Sequence, residues 1–127
     1  MLNQVEVRFT DVNSDGRVGH IPVIEWIAHT RVKFLDDKIE KANLKGTIDY
    51  VLVDLKINFL REIFYPDLVT VKIELLKIDT KFITTKYHVL HEPEFKTLVE
   101  AECINVFIDL KTRKSIEISN ELQAELL

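Results

Sequence analysis

The sequence predicts an α+β fold in which one antiparallel sheet wraps around a single long helix. Three observations predict it: a strand-like alternation near the start, one stretch of helical apolar spacing after a turn-rich loop, and period-two alternation through most of the chain beyond Gly46. The chain has 127 residues, 46% hydrophobic and 30% charged. That is enough for one core and too little for two ordinary domains, so residues 1–127 are read as a single domain.

The elements are taken in chain order. Val5, Val7 and Phe9 alternate with Glu6, Arg8 and Thr10, the signature of a half-buried strand. Residues 11–19 collect Asp, Asn, Ser and Gly and read as a loop, because these side chains bond to nearby backbone or permit positive φ. Ile21, Ile24, Ile27, Ala28, Val32, Leu35 and Ile39 recur at three- and four-residue spacing, which predicts a helix with one buried stripe. Pro22 is tolerated in its first turn, where the missing N–H has no intrahelical partner.

Beyond Gly46, Val51, Val53, Leu55, Ile57 and Phe59 alternate against Asp54, Lys56 and Asn58 as a long strand. Tyr65-Pro66-Asp67 marks a turn, residues 69–75 a strand, 78–81 a turn, 82–90 a strand and 98–110 another, with a break at Glu92-Pro93-Glu94. Ser119 or Asn120 is expected to cap a short closing helix through Leu127.

Composition narrows the function. A net charge of -4 with interspersed signs argues against a basic nucleic-acid surface. No run of about 18 apolar residues suggests a membrane span. No leader-like basic and apolar segment is evident, so the expected compartment is the cytoplasm. The single cysteine, Cys103, lies in an apolar run and is expected to be a buried, inert thiol. His29, His88 and His91 show no zinc spacing with it, so no metal or cofactor is expected.

The loop carries the chemistry. It reads Val7-Arg8-Phe9-Thr10-Asp11, then Gly16-Arg17-Val18-Gly19-His20, with Arg31 eleven residues further on. This resembles the 4-hydroxybenzoyl-CoA thioesterase-like hotdog family, including its Tol-Pal-associated acyl-CoA thioesterase branch, over nearly the whole chain. The resemblance implies a hotdog fold and hydrolysis of a thioester of coenzyme A or of acyl carrier protein. It also implies a homodimer or homotetramer whose protomers cover each other's open strand edge.

The resemblance further implies that a carboxylate acts as nucleophile or base while backbone N–H groups at the helix start polarise the thioester carbonyl. A helix N-terminus presents such donors and a partial positive charge. On this reading Val18, Gly19 and His20 form the oxyanion end, and Gly16 and Arg61 join Val18 and Gly19 in holding substrate. The family's second Asp is Asn13 here, and an amide cannot ionise. Asp11, Asp15 and Glu25 are the carboxylates available instead. Three readings stay open: Asp15 or Glu25 as base, a water positioned by Asn13, or a hotdog protein that binds a thioester or serves a structural role without efficient hydrolysis.

Two other patterns overlap this loop. Asp11-x-Asn13-x-Asp15-Gly16 begins like a calcium loop, but the bidentate acidic ligand needed at its twelfth position is Pro22. His20-Ile21-Pro22 is the only hint of a hotdog hydratase, with no recognisable acid or base partner.

Overall fold

The computed structural model describes residues 1–127. Five strands form one antiparallel sheet in the order β1-β3-β4-β5-β2: β1 (Leu2–Glu6), β2 (Ile48–Phe59), β3 (Leu68–Ile78), β4 (Phe82–His91) and β5 (Lys96–Asp109). The helix α1 (His20–Lys41) lies against one face, and α2 (Asn120–Leu126) packs beside it. This is the predicted α+β hotdog arrangement of a sheet around one long helix. The Ser119 Oγ accepts from the Leu122 N–H at 3.2 Å, the cap anticipated for α2.

The helix forms where predicted but is rotated about its axis. Its buried face is Val23, Trp26, Ile27, Thr30, Phe34, Leu35 and Ile39. Of the predicted stripe, Ile27, Leu35 and Ile39 are buried, whereas Ile21, Ala28 and Val32 are exposed. Trp26 and Phe34 offer more apolar area than the residues they displace, and burying each is worth about 2–3 kcal/mol.

The first strand ends earlier than predicted. Residues 9–11 turn as a 3-10 helix, and Phe9 is 75% exposed, its ring meeting Tyr65 edge-on at 5.9 Å. Pairing of β1 with β3 stops at Glu6 opposite Leu68.

β2 also departs from simple alternation. Leu52 pairs with Asn105 and Asp54 with Ile104, so Val53 is an extra, bulged residue. Before the bulge the helix-side residues are Tyr50 and Leu52; after it they are Leu55, Ile57 and Phe59. Val51 and Val53, predicted to face inward, are instead exposed. The bulge moves the pattern by one residue, which exchanges faces.

Candidate functional site

The loop between β1 and α1 is pinned at both ends. Asp11 is buried, and its carboxylate accepts from the Arg8 N–H at 2.8 Å and from Arg8 Nη2 at 2.9 Å. Burial alone would raise its pKa, but the bonds from Arg8 more than offset this and hold it below the ordinary value. Gly16 turns the loop with φ +84°, a conformation that favours glycine. Its carbonyl accepts from the Tyr65 N–H, and Arg17 reaches both Asp15, at 2.6 Å, and Glu62, at 2.7 Å.

The start of α1 has donors to spare. Gly19 is the N-cap and carries no side-chain cap, and Pro22 has no N–H. The Val18 N–H donates to the Ile63 carbonyl and the Gly19 N–H to the Asp11 carbonyl, at 2.8 and 3.4 Å. Of the first turn, His20 and Ile21 therefore present their backbone N–H groups without intrahelical partners. Sequence reasoning centred the oxyanion end on Val18, Gly19 and His20; the Val18 and Gly19 N–H groups are engaged by backbone carbonyls, and the donors left free are those of His20 and Ile21.

Two cavities flank this point. One, of about 610 Å³, is bordered by Asn13, His20, Ile21 and Glu25, with Asp11 and Gly19 in its wall. The other, of about 330 Å³, is lined by Asn13, Val18, Val23, Phe59 and Arg61 among others. Asn13 borders both, and its Oδ1 lies 3.7 Å from where a Cβ on Gly19 would stand. Asn13, His20 and Glu25 are thus brought together, and Arg61 lies on the second cavity. Asp15 lines neither cavity, and its carboxylate is held in the ionised form by bonds from Arg17.

The calcium-loop pattern meets the same bonds. Asp11 and Asp15 are each engaged by an arginine, and a strand rather than a helix precedes the loop. No group of three or more His, Cys, Asp or Glu side chains is placed to hold a metal ion. Sequence reasoning missed Phe59 and Val23 as cavity walls, and missed Arg8 as the partner of Asp11. The only available signal for Arg8 was its three-residue offset from Asp11, a common spacing in turns.

The family model described as the thioesterase-like superfamily matches residues 7–126. The chain belongs to the thioesterase-like superfamily. Within that superfamily it is similar to the long-chain acyl-CoA thioesterase FadM of Escherichia coli strain K12, 26% identical over 127 residues, spanning 99% of this chain and 96% of the relative. It is also similar to the solved structure of YbaW, a probable thioesterase from Escherichia coli, with TM-score 0.88 and 26% identity over 99% of this chain and 96% of that one. A Staphylococcus aureus protein solved in complex with CoA shares the fold, with TM-score 0.87 and 12% identity over 98% of this chain and 80% of that one. No helix of this superfamily member is long and apolar enough to cross a membrane.

Proposed function

We propose that this protein hydrolyses acyl-CoA thioesters at the N-terminus of α1. The observation that carries the reading is the meeting of Asn13, His20 and Glu25 around one cavity, where the His20 and Ile21 N–H groups have no intrahelical partner. The thioester carbonyl oxygen accepts from those two N–H groups, which stabilise the charge that develops on it. Asn13 positions a water through its side-chain oxygen, and Glu25 takes the proton as the water oxygen bonds to the carbonyl carbon. The tetrahedral intermediate then collapses, the C–S bond breaks, and the leaving thiolate of CoA takes up the proton that Glu25 holds, which restores the Glu25 carboxylate. The products are a free acid and CoA.

Arg61, on the second cavity, supplies a cation for the phosphates of the carrier. The relatives named for acyl-CoA hydrolysis or solved with CoA support CoA over acyl carrier protein. A homodimer through the free edge of β2 is part of this reading. That strand is paired only with β5, and Val51, Leu52 and Val53 on it are exposed.

The test is hydrolysis of short, long and aromatic acyl-CoAs by the parent, Glu25→Gln, Asn13→Ala and Asn13→Asp. A parent that turns over, with Glu25→Gln slower by about a hundredfold, supports the mechanism. A silent parent that gains activity as Asn13→Asp sinks it in favour of a thioester-binding protein, because the substitution then restores a missing carboxylate.

A further inference from the structure

The helix-side face of β2 forms an apolar strip. Leu52, Leu55, Ile57 and Phe59 stand opposite Asn105, Cys103, Ala101 and Val99, all buried residues of β5. The strip itself is left uncovered at both ends, Phe59 being 53% and Leu52 41% exposed. Phe59 also lines the 330 Å³ cavity, so the strip continues outward from the proposed reaction centre.

Beside the Leu52 end of the strip, the middle of α1 is tied to the sheet. Arg31 Nε donates to Asn105 Oδ1 at 2.6 Å, and the guanidinium carbon lies 5.2 Å from the centre of the Tyr50 ring. Asn105 is fully buried, and its amide donates to Thr85 Oγ1 at 3.4 Å, which in turn donates to the Tyr87 hydroxyl at 2.9 Å. Arg31 is therefore anchored to a polar chain set in the core. Tyr50 donates to Asp36 at 2.6 Å, and no carboxylate pairs with Arg31.

We propose that this strip carries the acyl chain and that Arg31 closes its far end, setting the longest acyl chain the protein accepts. The inference rests on the acyl-CoA reading above and adds a specificity-determining residue to it. From His20 to Arg31 the helix rises about 16 Å at ~1.5 Å per residue. An alkyl end reaching Arg31 strips water from a guanidinium and returns no hydrogen bond. Pushing the side chain aside breaks its bond to Asn105 and leaves a buried amide oxygen unpaired. Longer chains meet one penalty or the other.

The experiment compares kcat/KM for hexanoyl-, decanoyl-, myristoyl- and stearoyl-CoA in the parent, Arg31→Met and Arg31→Gln. Glutamine removes the charge while keeping a donor for Asn105, and so guards against a methionine variant that does not fold; thermal unfolding reports on both. The expected result is a stearoyl-to-decanoyl ratio that rises by about tenfold in a folded variant. A ratio equal to the parent's in the folded variants overturns the proposal, whatever the oligomeric state. If the parent hydrolyses no acyl-CoA, the thioesterase reading fails separately, and the same ratio taken from acyl-CoA dissociation constants by calorimetry decides on Arg31. Binding of no acyl-CoA at any length overturns both.

Discussion

Arg8 wraps Asp11 on two sides: its backbone N–H and Nε reach Oδ2 at 2.8 and 3.4 Å, and Nη2 reaches Oδ1 at 2.9 Å. The carboxylate is 2% exposed while the Arg8 side chain is 66% exposed, so the arginine is the lid and the aspartate the fixed post. The arginine bonds hold the Asp11 carboxylate in its charged form and fix it in the wall of the larger cavity.

Asp11→Ala is therefore expected to lower stability by about 2 kcal/mol in urea denaturation, because a buried, charge-assisted set of hydrogen bonds is lost. The parent carries a pH signature. Asp11 has a depressed folded pKa, so its contribution is complete above the ordinary carboxylate value and is lost as pH falls through the folded one. The parent's stability advantage over Asp11→Ala should shrink below about pH 4; an advantage unchanged down to about pH 2 contradicts the assignment.

Asp15 and Glu25 separate by position. Asp15 is bonded to Arg17 and lines neither cavity beside Asn13, whereas Glu25 borders the larger one. Asp15→Ala should keep acyl-CoA hydrolysis within about tenfold of the parent, while Glu25→Gln loses about a hundredfold. The reverse order in a side-by-side rate assay transfers the role of base to Asp15.

Cys103 is 1% exposed, and burial pushes its thiol pKa up. It should resist a disulfide reagent in the native protein at about pH 8 and react fully in urea. Rapid native labelling would mean that the core under α1 opens far more readily than its packing implies.

The free edge of β2 predicts assembly. Placing glutamate at Val51 and Val53 together should convert a dimer to a monomer in sedimentation, since like charges would then face each other across a paired edge. A dimer that survives the double substitution uses another surface.

Much of this was legible in the residues. Period-two alternation located β2 to β5, and three- and four-residue spacing located α1, because both reflect side chains close in sequence sharing one environment. The loop of the proposed site stood out through Asp11, Asn13, Gly16 and His20. Asn105 carried a fainter signal, a lone amide alternating with Cys103 and Phe107 on a face that is otherwise apolar.

The sequence by itself determined the main helices and strands and their order, the α+β class and the segment to which the site is proposed to belong. Tertiary structure decided the rest. The rotation of α1 depended on Trp26 and Phe34 winning the sheet-facing positions, and the inward face of β2 depended on a bulge at Val53 opposite β5. Arg8 claimed Asp11, Arg17 claimed Asp15, and the Ile63 and Asp11 carbonyls claimed the Val18 and Gly19 N–H groups. Local pattern specifies what each segment prefers; which partner satisfies each buried donor and acceptor is settled only when distant segments meet.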